Sequence, residues 1–154
     1  MNKLLPILLL TCSTAFSDPV VPSRGPKDKP QPLNEDQFAA FDRAIALYVA
    51  KARSTYPEAK RRFLSKLPRG YEFFVTTRLH DKRGKWEQSF VSVLTIKDGK
   101  INGVITTQPK LVVGFKSGDR YTFSESQVLD WTIMRPDGVE EGNFVGKFLD
   151  TYHP

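Results

Sequence analysis

Apolar residues recur along this chain in two rhythms, and the rhythm changes near residue 70. Phe38, Phe41, Ile45, Tyr48, Val49 and Ala52 fall on one face at helical spacing. Asn34 can cap that helix, Gln37 stands three residues on as in a capping box, and Leu33 can staple onto Phe38. A helix is therefore expected over 35–55. Pro57 suits the first turn of a second helix over 58–67, with Phe63, Leu64 and Leu67 inward and Arg61, Arg62 and Lys66 outward. Pro68-Arg69-Gly70 ends it.

Beyond Gly70 the pattern is one of strands and turns. Strand-like runs cover 71–79, 86–96, 101–107, 111–115, 120–123 and 128–134, with a weak one at 139–141. In the second run Trp86, Phe90, Leu94 and Ile96 alternate onto one face, with Val91 and Val93 on the other. Asp98-Gly99 is a two-residue hairpin signal, because both residues accept the positive φ of a type I′ turn. Gly84, Ser117-Gly118-Asp119 and Pro136-Asp137-Gly138 mark further turns, Pro109 ends a strand or sits on an edge, and 143–149 can close with a short helical turn. The expected fold is α+β. Two N-terminal helices pack on a strongly curved antiparallel sheet of five to seven short strands, with barrel-like closure left open.

Ahead of this domain the composition changes. Lys3, an apolar run over 4–10 broken only by Pro6, and Ala15-Phe16-Ser17 form the pattern of a cleaved signal segment over 1–17. The run is about half the roughly 20 apolar residues that a membrane span requires, so no span is expected after cleavage. Leu9-Leu10-Thr11-Cys12 resembles a lipobox, so lipidation at Cys12 is the alternative to cleavage after Ser17. Residues 18–33 hold five prolines and read as an extended linker, leaving a single domain over 34–154. The protein is expected to be exported to the periplasm or medium, or anchored as a lipoprotein.

The 154 residues allow one ordinary domain, and a net charge of +6 suits a soluble protein drawn to anionic surfaces. That charge is unevenly placed. Eleven basic residues lie between Lys51 and Lys85, whereas acids dominate from Asp119 onward. A basic side and an acidic side are expected, and the plainest reading is that they attract each other across the fold.

No nucleophile elbow, phosphate-cradling loop or His-Glu-x-x-His motif is present. Cys12 is the one cysteine, and His80 and His153 lack partners for a zinc site, so neither metal nor cofactor is expected. Asp130 and Glu87 are the candidate catalytic carboxylates, able to do hydrolytic acid–base work if they face one cleft. The plainer readings have Asp130 accepting from the turn at 124–127, Trp131 in the core, and Glu87 pairing with Arg78. Candidate binding residues are Trp131 and the basic set Lys60, Arg61, Arg62, Lys66 and Arg69, which could grip lipid headgroups or cell-wall phosphates. Apolar residues interleaved with that set suit a buried helix face better than a stacking platform, and no nucleic acid is expected.

Several residues recur together in a known order. Ala52-Arg53-Ser54, Phe63-Leu64, Phe73-Phe74-Val75, Glu87-Gln88-Ser89-Phe90, residues 98–105, Pro109, Gly118-Asp119, Phe123, Val128-Leu129-Asp130-Trp131, Asp137-Gly138 and Gly142 follow one another along the chain. Over about residues 52–149 this set resembles the YegJ-like bacterial domain of unknown function, DUF 2314. The chain departs from it at Gly142-Asn143-Phe144-Val145, where Gly-Gly-Tyr-Thr is usual, at Lys147 near a usual Arg, and at Phe90, where Trp is common. The resemblance implies fold and boundaries but no activity. The leading expectation is a non-enzymatic binding or accessory protein of the bacterial envelope with a basic face. The alternatives are a small hydrolase using the paired carboxylates, or an inhibitor or immunity-type protein binding a partner enzyme.

Overall fold

The computed structural model describes residues 25–27 and 35–152. The signal segment, Cys12, the Leu33 and Asn34 cap residues, His153 and most of the linker lie outside the described residues.

Helix α1 (Glu35–Leu64) is followed by β1 (Glu72–His80), β2 (Trp86–Lys97), β3 (Lys100–Ile105), β4 (Arg120–Ser124), a 3₁₀ turn (Glu125–Gln127), β5 (Asp130–Met134), β6 (Glu140–Gly142) and α2 (Phe144–Leu149). The strands form one antiparallel sheet in the order β4-β3-β2-β1-β5-β6. It is open rather than closed into a barrel, with β4 and β6 at its edges.

One long helix replaces the two expected, because α1 runs through Pro57. Proline there removes a hydrogen bond to the Arg53 carbonyl and crowds it, at a cost of about 3 kcal/mol. Packing on both sides of the proline outweighs that cost. Ala52 and Ala59 are fully buried in the main core, and Tyr56 and Phe63 pack against it. Extra donors also serve the carbonyls just ahead of the proline: the Ser54 and Thr55 hydroxyls donate to the Lys51 carbonyl, and the Trp131 indole N–H to that of Ala52 (3.2 Å). The helix stops at Leu64, three residues before the expected end, with Lys66 at φ 65°. Leu64 is exposed rather than inward.

Both faces of the sheet are covered at its centre. Phe73, Val75 and Leu79 of β1 share one face with Val91, Val93, Ile105, Trp131 and Ile133, the core against which Ala52 and Ala59 pack. The other face carries Phe74, Thr76, Phe90, Ser92, Thr132 and Met134, also buried. Pro26 is buried too, and the Gly25 backbone lies close enough to Phe74 and Thr106 for a Cβ to touch both, so this part of the proline-rich stretch packs against the domain. The N-terminal half of α1 forms a second, smaller core, Phe41 and Ile45 with Val145 of α2.

Local turn chemistry reads through directly. Asp98 and Gly99 both have positive φ, 50° and 71°, and Lys97 pairs with Lys100 across the two-residue turn. Two strand expectations fail. Residues 111–115 form no strand. In β2 the register shifts between Val93 and Thr95, leaving Leu94 as a bulge and exposed. A bulge reverses the alternation beyond it, so Ile96 joins Val91 and Val93 in the core instead of siding with Phe90.

Candidate functional site

Asp130 begins β5 and is wholly buried. Its Oδ1 accepts the Trp131 backbone N–H (2.8 Å), and its Oδ2 accepts that of Val145 (2.6 Å), in the first turn of α2. Asn143, the residue at the cap position of that helix, supplies no side-chain cap and is left-handed at φ 53°. Asp130 thus caps α2 from fifteen residues upstream, and the donors are not the 3₁₀ turn at Glu125–Gln127. Burial pushes its carboxyl from 3.8 up to about 6, although the N–H groups of Val145, Trp131 and Phe144 and the charge of Lys147 oppose the rise.

Glu87 sits elsewhere. The β1–β2 register pairs it with Leu79, and the β1–β5 register pairs Asp130 with Thr76. Leu79 and Thr76 stand three residues apart on β1 and so point to opposite faces, which puts the two carboxylates on opposite sides of the sheet. No paired-carboxylate site is assembled. Glu87 Oε2 instead accepts the backbone N–H groups of Lys110 (2.8 Å) and Leu111 (2.7 Å). It does not pair with Arg78, which reaches Asp42 on α1 and lies 4.1 Å over the Trp86 ring.

A third carboxylate, Asp81, is absent from the sequence-based candidates and performs similar work. It accepts backbone N–H groups from Arg83 (2.8 Å), Lys85 (3.0 Å) and Val113 (3.3 Å), and the Arg83 guanidinium as well. Burial disfavours its charge, but these donors outweigh that and hold its carboxyl below the ordinary value. The signal was local: an Asp at a strand end with a glycine-containing turn beyond it is a common acceptor for the following N–H groups. Asp81 and Glu87 together brace the loop over 106–119, which further closes through Ser89–Thr107 (2.6 Å) and Lys116 N–H to Asp119 (2.9 Å).

The basic run on α1 is largely engaged with acids. Lys60 pairs with Glu125 (2.8 Å), Arg61 with Glu58 (2.6 Å) and Arg62 with Glu141 (2.6 Å). The first and third cross from the basic stretch to the acidic C-terminal part, as attraction across the fold requires. The Arg62 hydrogen bond holds the Glu141 carboxyl below its usual value. Burial, with the charge and hydrogen bond of Glu125, pushes the Tyr56 hydroxyl up. The partly exposed Lys60–Glu125 and Arg62–Glu141 pairs contribute about 0–1 kcal/mol each. Lys66 and Arg69 are exposed and form no ion pair among the described residues.

Trp131 is core. Its indole N–H donates to the Ala52 carbonyl and the Thr55 hydroxyl (3.0 Å), and its ring meets Phe144 edge-on at 5.9 Å. A cleft of about 410 Å³ opens beside the end of α1, lined by Phe63, Leu67, Tyr71, Phe73 and Val93 with Lys66, Glu72 and Ser92. Among the described residues no group of three or more His, Cys, Asp or Glu could hold a metal ion, and no helix is long and apolar enough to cross a membrane.

Residues 42–150 match the family DUF2314, described as an uncharacterised protein conserved in bacteria. The chain belongs to that family. The match starts about ten residues before the motif resemblance and takes in more of α1. No curated protein and no solved structure matches the chain. Several of the residues that carry the motif resemblance help to hold the fold of this DUF2314 chain. Glu87 braces a loop, Asp130 caps α2 and Trp131 docks α1. At Gly103 a Cβ would collide with the Ser92 carbonyl oxygen of the neighbouring strand. Asn143 is left-handed at φ 53°, the conformation asparagine tolerates best after glycine.

Proposed function

We propose that this protein is a non-enzymatic binding module of the bacterial envelope, exported on its N-terminal segment, that meets an anionic envelope component through its basic surface. The observation that carries this reading is the cationic surface left after the ion pairs form: Lys66 and Arg69 beyond α1, and Lys82, Lys85, Lys110 and Lys116 around the β1–β2 turn and the loop over 106–119, are all exposed. The signal-like pattern over 1–17 supplies the compartment. The hydrolase alternative needs two carboxylates on one cleft, and Glu87 and Asp130 lie on opposite faces of the sheet.

Sedimentation of the purified mature protein with anionic vesicles and with isolated cell wall, over a salt series, tests the binding. Retention at low salt that fades as ionic strength rises is expected. Absence of retention on both at low salt overturns the reading. The mass of the protein isolated from its host tests the compartment: loss of residues 1–17, or a lipid mass on Cys12, is expected, and an intact N-terminus refutes export.

A further inference from the structure

We propose that the loop over 106–119 and the β1–β2 turn over 81–85 together form a contact for the surface of an anionic lipid bilayer. The proposal rests on the envelope-binding reading and names its ligand.

Fourteen residues link β3 to β4, near the upper limit for a connection without secondary structure of its own. Loops of that length in compact domains usually have a task. This one is held from beneath by carboxylates. Glu87 takes the N–H groups of Lys110 and Leu111, while Asp81 takes that of Val113. The side chains at its apex are thereby free to face outward. Val112 turns in, at 5% exposure, whereas Leu111 and Val113 turn out, at 41% and 55%.

The same anchors bring cations to those aliphatic side chains. The N–H groups of Arg83, Lys85 and Val113 converge on one carboxylate, so the turn and the loop apex meet at Asp81. Lys82, Arg83, Lys85, Lys110 and Lys116 are exposed around them. Asp81 pairs with Arg83, while Glu87 and Asp119 turn to backbone N–H groups, so the four lysines carry the outward positive charge. The local result is two exposed aliphatic side chains with a cationic rim. That arrangement matches a bilayer interface, where aliphatic groups enter the acyl boundary and ammonium and guanidinium groups meet phosphate. A soluble polyanion would use the cations and leave Leu111 and Val113 without a role.

The test uses the purified mature chain over residues 18–154, which lacks Cys12, so that no acyl anchor contributes. It is sedimented with vesicles of phosphatidylcholine alone or mixed with phosphatidylglycerol, and with immobilised cell wall. Of the two vesicle types, only those with phosphatidylglycerol are expected to retain it. The double variant Leu111→Ser/Val113→Ser changes only exposed side chains and should weaken retention about tenfold. Lys82→Glu/Lys85→Glu should weaken it by about tenfold or more, each basic group near an anionic surface being worth roughly fivefold. Lys51→Glu, an exposed charge on α1, should leave it within about twofold. Equal binding to phosphatidylcholine, full binding by the serine variant, or equal losses for the loop and Lys51 variants would each overturn the proposal. Cell-wall retention that survives those results leaves the envelope reading standing; no retention on any phase removes both.

Discussion

Replacing Asp130 with asparagine preserves shape but exchanges one acceptor oxygen for a donor. Asp130 receives two buried backbone N–H groups, one from Trp131 and one from Val145, on separate oxygens. An amide oxygen can satisfy one of them, and the other is left facing an amide N–H, at about 1–3 kcal/mol for the unmet donor. The substitution also removes a buried ionisable group, and that effect depends on pH. Burial raises the folded-state carboxyl from 3.8 to about 6. Below about pH 4 the carboxyl is protonated in folded and unfolded chains alike. Between about pH 4 and pH 6 the folded chain keeps a proton that the unfolded chain has released, so stability falls as pH rises. Roughly two pH units of displacement correspond to about 3 kcal/mol. Above about pH 6 the loss is complete.

The Asp130→Asn protein lacks this titration. Urea unfolding of both proteins, followed by tryptophan fluorescence from about pH 4 to pH 7, should show wild type favoured most at the acid end. Its advantage should shrink by about 3 kcal/mol across the window. Glu141 and Asp81, with carboxyls held below their ordinary values, act in the opposite direction at lower pH and equally in both proteins, so the difference isolates Asp130. Parallel stability curves across that window would refute the argument, since they would mean that the carboxyl titrates as an exposed one does.

Three further outcomes are expected. Gly142→Ala drives a Cβ into the Trp131 carbonyl oxygen at φ 78° and should cost about 3 kcal/mol or more by urea unfolding; a cost below about 1 kcal/mol would contradict the geometry. Pro57→Ala restores a helix hydrogen bond inside α1 and should raise stability by about 1–3 kcal/mol, whereas a loss would indicate that Pro57 starts a second helix. Glu87→Ala removes the acceptor bracing Lys110 and Leu111, so amide exchange at those residues should accelerate while β1 and β2 amides remain protected; unchanged exchange would remove Glu87 as the brace.

What the sequence by itself determined was local. The helix face Phe41, Ile45 and Ala52, the Asp98-Gly99 turn and six of the seven strand runs depend on spacing and on the φ preferences of single residues, and these act within a few positions. Membership of DUF2314 was legible in the same way. The run over 111–115 looked like a strand because its apolar residues could line a sheet, yet its N–H groups at Leu111 and Val113 are taken by Glu87 and Asp81 from other parts of the chain. A strand needs a neighbouring backbone, and no local pattern states whether one is available.

Tertiary structure decided everything that depended on such distant partners. It carried α1 through Pro57, because buried side chains on both sides outweighed the proline's penalty. It placed a bulge at Leu94 and so moved Ile96 into the core. It also decided the fate of the candidate site. Registers with Leu79 and Thr76 send Glu87 and Asp130 to opposite faces, where each serves backbone N–H groups. Cross-fold pairing to Glu125 and Glu141 engages two of the basic side chains of α1, and the lysines Lys82, Lys85, Lys110 and Lys116 stay exposed around the braced loop. Charges and carboxylates act through space on whichever groups the fold brings within a few ångströms, and a one-dimensional sequence does not name those neighbours.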